Sequence, residues 1–195
     1  VRVFLAGASG AIGRQLVPLL VAAGHDVAGT TRSKAKVEML RELGAEPVVI
    51  DVFDAERLRE AVVACAPDLV MHQLTDLPQD PAQISAKAAD NARVRTEGTC
   101  NLIGAAQAAG APRFLAQSIA WRLPGDAHAP VEEHERMVLH AGGVVLRYGA
   151  FYGPGTYHPE EGDLPEPPRI HVAEAARRTV ELLEAPSGVV GVVEE

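Results

Sequence analysis

The chain has 195 residues, 47% hydrophobic and 23% charged, a balance that supports one packed domain and excludes both a disordered tail and two full domains of about 150 residues each. Its 18 Lys and Arg against 26 Asp and Glu leave a formal charge of -8, a field that repels a phosphate backbone and argues against nucleic-acid partners. The longest apolar run, residues 16–23, contains Pro18 and falls far short of the ~20 residues that cross a bilayer, so no membrane partner is expected.

Hydrophobic period predicts a strand over residues 1–6 and a helix over 11–23 that Gly24 ends. A second strand follows over 26–30. Next come a helix capped by Ser33 and stopped at Gly44, and a third strand over 47–50. The pattern continues as helix 54–65, strand 69–72, a long helix over 87–109 closed by Gly110 and Pro112, and strand 114–117. Further on, helix 131–140, strand 143–147, helix 172–183 and strand 189–193 are expected. Strict alternation of strand and helix, with near-continuously apolar strands, predicts a doubly wound, Rossmann-type α/β fold with a parallel sheet. The Pro- and Gly-rich stretches 123–130 and 153–168 read as loops at the rim of a site.

Position gives the first glycine cluster its meaning. Gly7, Ala8, Ser9, Gly10, Ala11, Ile12 and Gly13 fall where the first strand meets the first helix. Gly7 permits a tight turn, Gly10 lets a pyrophosphate approach the backbone, and Gly13 lets helix and strand pack closely. The helix N-terminus adds free N–H groups and partial positive charge. At the end of the second strand, an acidic residue would hold the adenosine ribose of NAD. Thr31 stands there instead, followed by Arg32 and Ser33, with Lys34 and Lys36 close behind. A guanidinium beside a hydroxyl suits a 2′-phosphate, so NADP(H) is expected over NAD(H).

Further motifs extend along the chain: Asp51-Val52, Val70-Met71-His72, Glu97-Gly98-Thr99, Arg113-Phe114, Leu146-Arg147-Tyr148 and Phe151-Tyr152-Gly153-Pro154. With the GxxGxxG loop they resemble the extended short-chain dehydrogenase/reductase superfamily, in its NAD-dependent epimerase/dehydratase branch. The resemblance implies an NAD(P)(H)-dependent oxidoreductase or epimerase-like enzyme acting on a small carbonyl or alcohol. It places Asp51 and Val52 at the adenine, Gln73, Leu74 and Thr75 along the ribose, and Tyr148, Gly149 and Ala150 toward the nicotinamide.

Members of this superfamily that transfer hydride typically pair Tyr-x-x-x-Lys with a Ser or Thr, the lysine lowering the tyrosine pKa. This chain departs from that pattern. Its lysines are Lys34, Lys36 and Lys87 and its tyrosines Tyr148, Tyr152 and Tyr157, so no such pair can be drawn. Ile119 aligns with the usual hydroxyl position, although a one-residue shift restores Ser118. Arg95 replaces the asparagine that often precedes Gly-Thr. Ser118, Tyr148 and Tyr152 remain as candidate catalytic groups, with Thr75 near the same cleft and His72 expected as a hydrogen-bonded residue beneath the cofactor.

Glu132 and Glu133 fit the first turn of a helix, His128 lies in a loop with no fixed geometry relative to His134, and no metal is expected. The alternative reading is a redox-inactive dinucleotide sensor resembling the NmrA-like regulators, and the missing Tyr-x-x-x-Lys favours it. A bare scaffold is disfavoured by the glycine loop. The substrate lobe of the superfamily is reduced here to residues of about 153–170 within one domain spanning 1–195, which predicts a shallow pocket or one closed by a partner. A homodimer would pair the helices beginning near Lys87 and Val131, the alternative being that their apolar stripes are core. Cys65 and Cys100 show no CxxC or Cys/His spacing, which points to a reducing, cytoplasmic setting.

Overall fold

A computed structural model describes residues 1–159 and 162–194. Its first half runs β1 (Arg2–Ala6), α1 (Ala11–Ala22), β2 (Asp26–Thr31), α2 (Val37–Glu42), β3 (Glu46–Val49), α3 (Ala55–Cys65) and β4 (Leu69–His72). Then follow α4 (Ala88–Arg93), α5 (Thr99–Ala108), β5 (Arg113–Ile119), α6 (Ala129–His140) and β6 (Val144–Tyr148). The last part holds β7 (Ala150–Tyr152), β8 (Arg169–His171), α7 (Val172–Glu181) and β9 (Gly188–Val192).

Seven strands form one sheet in the order β3-β2-β1-β4-β5-β6-β9, and every pairing is parallel. The order reverses between β1 and β4, the position where open α/β sheets place their ligands. Register brings Ala6 beside His72 and Ser118 beside Arg147, so the C-terminal strand ends share one rim.

Side chains alternate across the sheet as the two-residue period of a strand dictates. Val3 and Leu5 join Leu16, Val17 and Leu20 of α1 and Ala175 and Ala176 of α7 on one face. Phe4 and Ala6 join Leu58 and Val62 of α3, Leu102 and Ala105 of α5, and Val138 of α6 on the other. The apolar stripes of α5 and α6, expected as a two-helix pairing face, therefore belong to the core of this chain. Among the described residues no helix is long and apolar enough to cross a membrane.

Four local features differ from the sequence pattern. The helix over 87–109 is interrupted by a π-turn at Val94–Gly98 that joins α4 to α5, a feature often found near functional sites. The second helix begins as a 3₁₀ turn at Lys34–Lys36, and the Ser33 side chain does not cap it. Instead the Ser33 N–H donates to Thr31 Oγ1 at 3.1 Å. Asp54 does cap α3, accepting from the Arg57 N–H. Finally, β7 and β8 form a separate two-stranded parallel sheet, too short for hydrophobic period to register. The segment 153–170 includes Glu160 and Glu161, which lie outside the described residues.

Candidate active site

Steric crowding explains the glycine turn. Gly7 has φ +94°, and a Cβ there would sit 2.5 Å from the Gln73 carbonyl oxygen, so only glycine fits. A Cβ on Gly13 would lie 2.3 Å from the Gly7 carbonyl oxygen, which is why α1 can lie directly against the turn. Gly10 is the N-cap of α1 with no side-chain cap, and the first turn holds no acidic residue. The first amides of α1 are thus free and its positive end uncompensated. The Gly7 N–H donates to Thr30 Oγ1 at 3.0 Å, and Ser9 Oγ donates to Thr31 Oγ1 at 3.1 Å, pinning the turn to β2.

From this turn a cavity of about 1270 Å³ runs across the C-terminal strand ends. Ligand clefts commonly enclose about 300–1,000 Å³, so this one has room for a cofactor together with a small substrate. Of the two forms expected, shallow or closed by a partner, it is not the shallow one, because Trp121, Leu123, Tyr157 and His158 extend its wall. The Tyr157 hydroxyl donates to the Pro78 carbonyl and ties the two rim segments together.

Most of the predicted cofactor residues line it: Gly7, Ser9, Gly10, Ala11, Ile12, Thr31, Arg32, Ser33, Val52, Gln73, Leu74, Thr75, Ser118, Tyr148, Gly149 and Ala150. Three do not. Ala8 is fully buried in the core, Gly13 lies beneath the turn, and the Asp51 carboxylate accepts from the Phe53 N–H at 3.0 Å. Asp51 thus serves its own backbone, and Phe53 lines the cavity beyond it with the Arg93 guanidinium 3.9 Å from its ring centroid. Gly149 lines the cavity where a Cβ would come within 2.6 Å of the Arg169 backbone, a close approach that follows from the unforeseen β7–β8 pairing.

The candidate catalytic groups fare differently. Ser118 is buried at the cavity wall, and its hydroxyl donates to Glu135 Oε1 at 2.6 Å. Glu135 also accepts two bonds from Arg147, at 2.9 and 2.6 Å. Burial pushes the Glu135 carboxyl up, but the Arg147 and Ser118 hydrogen bonds outweigh it and hold the group below the usual carboxylate range. Tyr148 is a correction. Its hydroxyl donates to Thr179 Oγ1 at 2.6 Å, since Thr179 spends its own proton on the Ala175 carbonyl, and it accepts from Gln73 Nε2 at 3.3 Å. Burial pushes this phenol up to about 12, so it is a poor proton donor or acceptor near neutrality. Tyr152 is a second correction: its hydroxyl donates to Glu194 Oε1 at 2.5 Å, and it does not line the cavity.

Beneath the cavity runs a buried polar chain. His72 Nδ1 accepts from the Leu74 N–H at 3.3 Å, so Nε2 carries the proton and donates to Thr99 Oγ1 at 3.0 Å. Thr99 in turn donates to His134 Nδ1 at 2.7 Å, and His134 Nε2 donates to the Gln117 carbonyl at 2.8 Å. Burial is the main reason that both imidazoles titrate low, His134 at about 4. The two rings are therefore neutral. His134 spends both nitrogens in this chain, and His128 Nδ1 accepts from the Leu123 N–H. Among the described residues no group of three or more His, Cys, Asp or Glu is placed to hold a metal ion.

Sequence reading missed several cavity residues. Arg14 stands one position after Gly13, and a Cβ on Gly155 would lie 2.6 Å from its Nη2; a basic residue so near the glycine loop was its signal. Asp76 gave none, being 44 residues from its partner Arg32. Gln73 Oε1 is buried at the cavity wall with no hydrogen-bond partner among the described residues, the kind of orphaned acceptor that a ligand donor satisfies.

A family model described as NAD(P)H-binding matches residues 7–140. The chain is 40% identical over 188 residues to a 3-diazoavenalumate denitrifying reductase of a Streptomyces species, the match covering 83% of this chain and 60% of that protein. It therefore spans about three fifths of that relative's length. Among solved structures, the UDP-glucose 4-epimerase of Thermotoga maritima, with UDP-glucose, superposes with a TM-score of 0.82 at 17% identity, covering 99% of this chain and 77% of that one. The Thermus thermophilus UDP-glucose 4-epimerase, in complex with NAD, gives 0.79 at 20% identity, covering 99% and 78%.

The expected NADP(H) preference is overturned. NAD is the dinucleotide in the Thermus structure and in matched structures from Bordetella bronchiseptica and Brucella ovis. Arg32, on which the expectation rested, is bound to Asp76 at 2.8 and 3.5 Å, and a 2′-phosphate there would meet that carboxylate. From its glycine turn to its strand order the molecule has the fold of the extended short-chain dehydrogenase/reductase superfamily, and the chain belongs to the NAD(P)H-binding family.

Proposed function

We propose that this chain is the dinucleotide-binding domain of an NAD(H)-dependent oxidoreductase or epimerase-like enzyme acting on a small carbonyl or alcohol. The observation that carries the reading is the unbroken cavity from the uncapped N-terminus of α1 to Ser118, with Gln73 Oε1 unpaired in its wall. The resemblance to a protein named as a reductase supports an enzyme. The free cysteines Cys65 and Cys100 suit a reducing, cytoplasmic setting.

In this reading the amides of the 7–13 turn hold a diphosphate, and Arg14 flanks it. Asp76, steadied by Arg32, faces the adenosine ribose, while Val52 and Phe53 pack against adenine. Gln73 Oε1 accepts from a ribose hydroxyl or the carboxamide. The dinucleotide, when bound, supplies or accepts hydride at nicotinamide C4.

Ser118 is the group left to handle the substrate oxygen. Its proton points at ionised Glu135, so Ser118 Oγ accepts from an alcohol O–H as it stands, and it polarises a carbonyl once the hydroxyl rotates. Calorimetry tests the first part: NADH is expected to bind at least about tenfold more tightly than NADPH, and no heat from either dinucleotide would defeat the reading. Ser118→Ala is expected to keep NADH affinity while carbonyl-dependent NADH oxidation falls about a hundredfold.

A further inference from the structure

The cavity wall that holds Ser118 also holds a cation that the proposed chemistry does not use. Arg95 sits in the Val94–Gly98 π-turn, half-buried, and lines the cavity. Its neighbour Arg93 is consumed outside the cavity by Glu97, at 2.6 and 2.9 Å, and by the Phe53 ring. The Arg95 guanidinium makes no hydrogen bond and no ion pair with any described residue, and Glu135 attracts it only through space.

The local charges do not balance. Glu135 is already held by two bonds from Arg147, and His72 and His134 are neutral. Two guanidiniums thus face one carboxylate, and one positive charge is left over at the cavity wall. A partly desolvated cation without a partner is unfavourable, and an anion entering the cavity relieves it. The diphosphate is not that anion in this reading, because its site is the N-terminus of α1 beside Arg14, whereas Arg95 lines the cavity with Ser118 and lies within electrostatic reach of the Glu135 that Ser118 binds.

We propose that Arg95 is the anion receptor of the substrate pocket, selecting substrates that carry a carboxylate close to the carbonyl or alcohol handled at Ser118. The planar guanidinium offers paired donors that match a carboxylate. The proposal rests on the oxidoreductase reading of the cavity, since that reading defines which part of it is the substrate's.

Benzoate and its neutral analogue benzamide are the probes. Calorimetry on the NADH-loaded protein is expected to show benzoate binding at least tenfold more tightly than benzamide. Arg95→Gln is expected to remove that tenfold advantage while changing NADH affinity less than twofold, and Arg95→Lys to keep part of it. Unliganded Arg95→Gln is expected to melt no lower than the parent, a result that a merely structural arginine would not give. Benzoate binding no tighter than benzamide, undetectable benzoate binding, or equal benzoate binding by parent and Arg95→Gln overturns the proposal. So does a parallel loss of NADH and benzoate, which would give Arg95 to the cofactor. If NADH fails to bind while benzoate still binds through Arg95, the oxidoreductase reading fails and the anion receptor stands.

Discussion

The two ends of the cavity are made of different material. At the glycine turn the surface offered to a ligand is backbone, shaped by residues that have no room for a Cβ. At the ends of β5 and β6 it is side chain: Ser118 on Glu135, Glu135 on Arg147, Tyr148 on Thr179, over the His72–Thr99–His134 chain. A backbone-built site depends on geometry and tolerates many side chains around it. A side-chain-built site can change its chemistry one residue at a time while the sheet beneath stays as it is. That contrast explains how the chain keeps the superfamily fold without its Tyr-x-x-x-Lys pair.

The sharpest way to test the side-chain end is to cut its buried chain. Thr99→Val keeps the shape but leaves the His72 Nε2–H without an acceptor and His134 Nδ1 without a donor. Each orphaned buried group costs about 1–3 kcal/mol, so a loss of about 2–6 kcal/mol is expected in urea unfolding. A change below about 1 kcal/mol would show that this network does not hold the β4, α5 and α6 elements together.

Acid should find the same end. His134 titrates at about 4 in the folded chain because it is buried, against an ordinary 6.5. The unfolded chain therefore binds a proton first, and stability present above pH 6.5 is lost as the pH falls toward 4. Between pH 7 and 5 the loss is about 2 kcal/mol, with His72 shifted in the same direction. Glu135 enters only lower, since its stabilisation is complete above the ordinary carboxylate range and fades as the pH falls through its depressed value. Urea midpoints that do not move between pH 7 and 5 would contradict the neutral, buried state of the rings.

For the backbone end the matching cut is Gly7→Ala. The added Cβ meets the Gln73 carbonyl at 2.5 Å from a φ of +94°, which costs about 1–3 kcal/mol. NADH affinity should fall with it by at least about tenfold, whereas Thr99→Val should destabilise without a comparable change in NADH affinity for the folded protein. Equal effects on NADH binding would erase the distinction between the ends. A smaller change sharpens the ribose corner. Asp76→Asn removes the carboxylate from Arg32 and is expected to narrow the preference for NADH over NADPH about tenfold, with stability changed by less than about 1 kcal/mol because the pair is exposed.

The same division decides what the sequence could reveal. The turn at 7–13 and the strand order follow from local signals: glycines, hydrophobic period and a helix start that adjoin one another in the chain. The side-chain end is assembled from distant residues. Ser118 meets Glu135 17 positions later, Tyr148 meets Thr179 31 positions later, and Arg32 meets Asp76 at 44. Arg32 read as a phosphate ligand because nothing beside it predicts the carboxylate it has already found. Arg95 was visible as a departure from an asparagine, but its lack of a partner emerges only when the π-turn brings it to the cavity wall.

Tyr152 carries the smallest expected effect and the finest test of the boundary between the two regions. It lies four residues past Tyr148 and shares its residue type, yet its hydroxyl binds Glu194 and its ring packs edge-on to His171 at 5.1 Å, away from the cavity. Glu194 also accepts from the His171 N–H at 3.2 Å and lies 3.5 Å from Arg169, so Tyr152→Phe leaves that carboxylate satisfied. The loss should stay under about 1 kcal/mol, with NADH affinity and turnover unchanged within twofold. A tenfold fall in turnover at unaltered stability would bring Tyr152 back into the chemistry and require the β7–β8 sheet to swing toward the cavity during the reaction.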